Sequence, residues 1–338
     1  MTITALADRV QTEADAYEYL EELRWPTGTP DCPHCGHVGA DFIRPSNGVS
    51  RRTRTGTMSE RRVWRCHGCR KQFSVLTGTP LHGTKVPVRV WVFCIFEMCS
   101  SKNGVAAREI ERKYGVCPRT AWFLMHRIRE MMTGSGPFDT MRGTIVADET
   151  WIGGTPARMN AKTRRRHDGQ MSEPQPITPG GRPNMHTAKT PVLSLINAKT
   201  GEVRSAVIPD VTGVTLRKAI AEQVDIGGSS LWTDEGVWYN QLGREFRSHS
   251  TVNHAADEYL NRRTGATTNA AENFFSQLKR SLDGTHHHVS KVHLSRYLAE
   301  FDYRYTHRKI SDTSRMEMLV GATPMRRLTY KRVRATVR

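Results

Sequence analysis

Four cysteines in two CxxC pairs constrain this chain more than any other feature. DCPHCG supplies Cys32 and Cys35, and CHGC supplies Cys66 and Cys69. Each pair lets two thiolates reach one ion from a tight turn, and four thiolates complete a tetrahedral zinc shell. Pro33, Gly36 and Gly68 suit such turns. With all four positions filled by protein, a Zn2+ held there is structural. The first 24 residues include Asp8, Glu13, Asp15, Glu18, Glu21 and Glu22, which does not read as a secretory leader. The longest apolar run, Val86 to Met98, is interrupted by Pro87, Arg89 and Glu97 and is too short to span a bilayer. A reducing, cytoplasmic setting is expected, where seven cysteines serve as metal ligands or buried thiols. Cys94, Cys99 and Cys117 lack ligand spacing and are expected in the core.

Charge narrows the partner. Lys and Arg total 50 against 33 Asp and Glu, a formal net charge of +17. Phosphates attract such a surface through counterion release, so nucleic acid is the favoured partner. A membrane surface would need an amphipathic anchor or a lipidation motif, and neither is visible. Between the two cysteine pairs lie Arg51, Arg52, Arg54, Arg61 and Arg62, a basic hairpin or loop suited to phosphates, or else a solvated loop.

The pattern suggests an order of segments. Residues 1–24 read as an acidic amphipathic helix with Leu6, Val10, Ala14, Tyr17, Leu20 and Leu23 on one face. Residues 25–82 hold the zinc ribbon. Residues 83–135 read as helices: Val88 to Met98, Gly104 to Tyr114, then a Gly115-Val116-Cys117 turn and a helix opened by Pro118. This matches a helix-turn-helix, although an ordinary helical hairpin has the same spacing. Arg119, His126 and Arg127 are expected to face solvent or DNA, with Trp122, Met125, Ile128, Arg129 and Met132 on the other side.

From residue 140 strands dominate. Gly143 to Ala147 reads as a strand running into Asp148-Glu149. Residues 153–190 are too polar to pack and form an insertion loop carrying Arg164, Arg165 and Arg166. Strands at Pro191 to Asn197 and Glu202 to Pro209, a helix near Gly213 to Gln223, a strand from Ser230 to Asp234 and a strand from Ser248 follow. The last strand ends near His254. In TTNAAENFFSQLKR, Ala271, Phe274, Phe275 and Leu278 form one helical stripe, and Glu272, Ser276 and Lys279 run beside it. Glu272 fits a capping residue at N3 behind Asn269, or a functional carboxylate. Three acids at element ends, Asp148, Asp234 and Glu272, can converge at one sheet edge. Glu149 and Glu235 point away from their aspartate neighbours and are expected in solvent or behind the site. His286, His287 and His288 read as a polar loop, and Trp151, Trp232 and Trp238 as packing residues. Residues 311–338 read as a basic tail with Arg326, Arg327, Lys331, Arg332 and Arg334.

DCPHCG, CHGCRKQFSVLTGTP, WFLMHRIREMM, VADETWIGG, WTDEGVWY and TNAAENFFSQLKR, in that order, resemble a bacterial insertion-sequence transposase of the zinc-ribbon group. The resemblance is to the ISXO2-like members with a DDE-type catalytic domain. It implies a mixed α/β fold: an RNase H-like sheet flanked by helices over residues 140–310, with an N-terminal zinc ribbon and a helix-turn-helix-like segment. It also implies a catalytic set of Asp148, Asp234, Glu272 and Lys279. Where the family has His before the Asn of its last motif, Thr268 stands here, so Asn269 is an alternative third ligand. The implied cofactors are Mg2+ or Mn2+ at Asp148, Asp234 and Glu272, and structural Zn2+. The implied partner is double-stranded DNA, both element ends and target, bound by a dimer or larger assembly at the nucleoid. The implied reaction is metal-dependent strand cleavage and transfer. Two rivals share parts of the pattern: a non-catalytic DNA-binding regulator, and a two-metal nuclease that does not join strands.

Overall fold

Polar, glycine-rich spacers separate segments of strong local pattern, and the chain folds as two units: Met1–Gly136 with His307–Arg338, and Pro137–Thr306. A computed structural model describes residues 2–45, 48, 51–52, 58–133, 140–153, 189–252, 260–261, 263–323 and 328–329, with the backbone alone at 51, 52 and 58.

In the first unit, α1 (Ile3–Arg9) and α2 (Glu13–Arg24) replace the single helix expected over 1–24. Thr12 stops the run. Its hydroxyl accepts from the Asp15 N–H, and the Asp15 carboxylate accepts from the Thr12 N–H at 2.8 Å, a reciprocal cap that starts a new helix. Strands β1 (Ala40–Phe42), β4 (Trp64–Cys66) and β5 (Gln72–Phe73) form the ribbon sheet. Between them β2 (Arg51–Arg52) pairs with β3 (Met58–Ser59) as a short antiparallel hairpin. Helix α3 (Val88–Ser100) buries Trp91, Val92, Cys94, Ile95, Met98 and Cys99, so it is a core helix. Pro87 cannot cap it, and the Glu13 carboxylate does so instead, accepting from the Val88 N–H at 2.6 Å and the Arg89 N–H at 3.0 Å.

Helix α4 (Ala107–Tyr114) starts three residues later than expected and ends at Gly115, whose φ of +64° closes a left-handed C-terminal turn. Pro118 opens α5 (Pro118–Thr133), as its fixed φ favours. Cys117 is exposed, not in the core, because it lies in the turn before α5.

In the second unit, β6 (Thr144–Ile152), β7 (Thr190–Asn197) and β8 (Val203–Val207) are antiparallel neighbours. Strands β9 (Ser230–Asp234) and β10 (Ser248–Val252) continue the sheet parallel to β6, giving the order β10-β9-β6-β7-β8. This is the mixed, RNase H-like arrangement. Strand β6 is longer than expected. It pairs with β7 from Ile145 to Ile152, so Asp148 lies inside the strand, opposite Ser194, and not at its end.

The sheet has two covered faces. Ile145, Ala147, Leu193, Leu195 and Leu231 pack with α6 (Gly213–Ala221) and the turn holding Tyr239. Val146, Val192 and Ile196 pack with α7 (Asn269–Ser281) and α8 (Lys291–Thr306), with Trp232 against them. Helix α9 (Asp312–Gly321), expected as tail, returns to the first unit, where the Arg315 Nη1 donates to the Cys99 carbonyl at 2.6 Å. Its N-cap, Ser311, accepts from the Ser314 N–H at 3.1 Å.

Candidate active site and metal centre

Side chains alternate across a strand, so residues two apart share a face. Val146 and Trp232 face α7, and they form the last rung of the parallel β6–β9 ladder. Asp148 and Asp234 each stand two residues further on, at equivalent positions on neighbouring strands and on the face that carries α7. Both are half-buried. The Asp148 Oδ1 accepts the Glu149 N–H at 2.7 Å, and the Asp234 Oδ1 accepts the Gly236 N–H at 3.0 Å. A Cβ on Gly236 would stand 3.0 Å from that same Oδ1, so the carboxylate would have to shift to admit it.

Helix α7 presents the expected stripes. Ala271, Phe274, Phe275 and Leu278 are buried against the sheet, whereas Glu272, Ser276 and Lys279 are exposed along one line. The helix begins one residue earlier than the capping reading requires. Thr268 is the N-cap without a side-chain capping bond, Asn269 is the first helical residue, and Glu272 is therefore past N3. Asn269 is exposed, and its N–H donates to the Thr267 Oγ1 at 3.2 Å.

On the opposite face lies a residue pair that local spacing does not reveal. Glu149 points toward the Tyr239 side of the sheet, and the buried Tyr239 hydroxyl donates to its Oε1. Burial pushes the Glu149 carboxyl up to about 7. The Tyr239 hydrogen bond works against that rise, and the charges of Asp148 and Asp234 add to it. Both aspartates are thus close enough to act electrostatically on one neighbour. Glu235 is exposed, as expected. Trp238, expected as packing, is 47% exposed in the turn after Asp234. His286, expected in a polar loop, lies in a helical turn and meets Tyr297 edge-on at 4.8 Å. His254 lies outside the described residues.

The cysteine centre is assembled. The ligand sulfurs of Cys32, Cys35, Cys66 and Cys69 all lie within 4.8 Å of one another. The Cys32–Cys69 and Cys35–Cys66 Sγ separations are each 3.6 Å. Sulfurs about 2.3 Å from a tetrahedral ion are separated by about 3.8 Å, so the four thiols fit a structural Zn2+. The two turns are built alike: the Gly36 N–H donates to the Cys32 carbonyl at 2.9 Å and the Arg70 N–H to the Cys66 carbonyl at 3.1 Å. Among the described residues, the cysteines are the one set of three or more metal-ligating side chains gathered closely enough to share an ion. The oxygen donors of Asp148, Asp234 and Glu272 suit Mg2+ chemically.

The arginines divide. Arg127, expected to face solvent or DNA, is buried, and so is His126. The Arg127 guanidinium donates to the Pro80 carbonyl and, at 2.7 Å, to the His82 carbonyl, and lies 5.0 Å from the Trp91 ring centre. It ties α5 to the segment before α3. Arg62 is likewise engaged internally, pairing with Glu21 at 2.8 Å and Glu18 at 2.6 Å. Arg61 donates to the Ser74 Oγ at 3.1 Å while remaining exposed. Arg119 is exposed at the start of α5. Arg51 and Arg52 lie on β2, and Arg54, Arg164, Arg165 and Arg166 lie outside the described residues.

The fold and the cysteine centre define a zinc-ribbon protein with an RNase H-like unit. Residues 140–306 match the family model of the ISXO2-like transposase domain, and residues 11–72 match that of the transposase zinc-ribbon domain. A protein of Halobacterium salinarum described as an uncharacterized protein in transposable element ISH50 is 23% identical over 294 residues, covering 87% of this chain and 90% of that relative. The chain belongs to the ISXO2-like, zinc-ribbon family of insertion-sequence transposases. Among the described residues no helix is long and apolar enough to cross a membrane.

Proposed function

We propose that the chain binds the ends of its own insertion element and cleaves and joins DNA strands, with Asp148, Asp234 and Glu272 as the metal-holding acids. The observation that carries this reading is the equivalent placement of Asp148 and Asp234 beyond the last β6–β9 rung, on the face that carries α7. Asp148, Asp234 and Glu272 would hold the ions, with Asn269 the alternative at the third position. Mg2+ held there supplies activation of the attacking oxygen and charge stabilisation at the leaving one. Lys279, on the same exposed line of α7 as Glu272, contacts the DNA backbone beside the reacting phosphate. In the first step water attacks the phosphodiester at the element's end, and the bond to the 3′-oxygen breaks to leave a 3′-hydroxyl. In the second, that hydroxyl attacks a target phosphate and releases a target 3′-hydroxyl. Exposed Arg119 and Arg61 and the net charge of +17 favour the duplex as partner. Two element ends call for at least two copies of the chain.

The test is incubation of the purified chain with labelled DNA carrying the sequences that flank its gene, with and without Mg2+. Metal-dependent nicked and joined products are expected. Binding without cleavage would make the protein a regulator, and cleavage without joining a nuclease.

A further inference from the structure

Where the β6–β9 ladder ends, no rung joins the two strands directly, although each stays paired to its outer neighbour. The last paired rung is Val146–Trp232, and the aspartates lie past it. Four hydrogen bonds close this gap from the far side of the sheet. The Glu149 N–H donates to the Asp148 Oδ1 at 2.7 Å. The Tyr239 hydroxyl donates to the Glu149 Oε1. The Tyr239 N–H donates to the Gly236 carbonyl at 3.1 Å, and the Gly236 N–H donates to the Asp234 Oδ1 at 3.0 Å. The result is a continuous hydrogen-bonded path from one aspartate carboxylate to the other. Its central member, Tyr239, is fully buried among Leu231, Leu242 and Phe246 and so has little freedom to move.

We infer that Tyr239 and Glu149 are positioning residues: their hydrogen bond sets the separation and orientation of Asp148 and Asp234, and so the affinity of that pair for a divalent cation. This rests on the proposed reading of the two aspartates as metal-holding acids. In this role neither residue is itself a ligand of the ion. Each acts through the carboxylate beside it, as partners behind metal ligands do. A purely structural pair would contribute packing alone, and either member could be replaced by a residue of equal volume without affecting the ion.

The experiment is Mn2+ titration of the full chain, zinc-loaded, followed by loss of the free-ion electron paramagnetic resonance signal. Asp148→Ala is the blank, and thermal melting and DNA binding are measured in parallel. Wild-type binding that Asp148→Ala abolishes is read first, and its absence would overturn the proposed metal centre and the positioning role with it. Given that binding, Tyr239→Phe, which removes only the hydroxyl, is expected to weaken Mn2+ binding about 10–100-fold with DNA affinity unchanged. Glu149→Gln keeps an oxygen acceptor and is expected to bind Mn2+ within about threefold of wild type, whereas Glu149→Ala matches Tyr239→Phe. The Tyr239→Phe/Glu149→Ala double variant should be no weaker than either single. Unchanged Mn2+ affinity in Tyr239→Phe would overturn the positioning role and leave the proposed function standing. So would losses that add in the double variant, or that follow the folded fraction.

Discussion

Asp148 and Asp234 occupy equivalent positions on neighbouring parallel strands, each two residues beyond the last rung that joins those strands. Asp148 pairs with Ser194 in the β6–β7 ladder and Asp234 with Val252 in the β9–β10 ladder, but no β6–β9 rung joins the two aspartates, and each carboxylate accepts a nearby backbone N–H. For Asp234 the local bond comes from Gly236, where a Cβ would stand 3.0 Å from the carboxylate oxygen. Gly236→Ala is expected to displace that carboxylate and slow strand joining by about 10-fold, because small misplacements in a reacting site are costly. Its melting temperature should stay within a few degrees of wild type, since the Gly236 φ of −57° is open to alanine. Single-turnover joining rates and a thermal melt check both halves.

The two α5 arginines should separate cleanly. Arg127 is buried, with its guanidinium bonded to the Pro80 and His82 carbonyls. Arg127→Ala leaves those carbonyls without their donor and is expected to cost about 2–4 kcal/mol of stability, with DNA affinity per folded molecule unchanged. Arg119 is exposed. Arg119→Ala should leave stability within about 0.5 kcal/mol while weakening DNA binding by about 10-fold. Urea unfolding and fluorescence anisotropy give the two numbers.

Zinc should report through the aromatic residues beside its ribbon. Trp25 meets Trp64 edge-on at 6.0 Å and Phe73 at 6.1 Å, and Trp64 shares β4 with Cys66. The purified chain is expected to hold about one Zn2+ in this centre, and Cys66→Ser to hold almost none. Chelator treatment of wild type should shift tryptophan emission toward that of Cys66→Ser. Elemental analysis and emission spectra provide the check.

Asp302, on α8, is half-buried, and its carboxylate accepts from the Ser205 N–H and Oγ at 2.7 Å each. Burial pushes its carboxyl up to about 7 from an ordinary 3.8, despite those two donors. Folded chain then holds more protons than unfolded chain between about pH 4 and 7, so stability is fullest below that window and falls as pH rises through it. Asp302→Asn keeps an acceptor for Ser205 and removes the charge. It should stabilise the chain by about 2–4 kcal/mol at pH 8 and by little at pH 4. Glu149 shifts in the same direction, so the comparison of wild type with Asp302→Asn isolates the Asp302 share. Denaturant unfolding across that pH range measures it.

Features written in local spacing were legible in the chain: the two cysteine knuckles, the buried stripe of α7, the turn at Gly115 and the strand ending at Asp234. The break at Thr12 was also local, since TEAD is a capping signature, but the apolar period running through it masked the stop. Other features depended on partners far along the chain. Strand β6 extends through Asp148 because β7 pairs with it, and β7 starts 38 residues after β6 ends. Arg127 reads as a surface charge until the carbonyls of Pro80 and His82, some 45 residues away, fold over it. The Tyr239–Glu149 bond spans 90 residues, and no spacing rule announces it. Exposure of Glu272 and Lys279 followed from helical period alone, and the role proposed for them rests on the family resemblance.

The most direct measurement is the rate of strand joining by Asp148→Asn and Asp234→Asn at DNA concentrations that saturate each variant. Both substitutions keep the side-chain volume and remove a charged oxygen donor. The account predicts wild-type DNA affinity and zinc content, with metal-dependent joining reduced by about a thousandfold or more in each. Joining at near wild-type rate by either variant would contradict it.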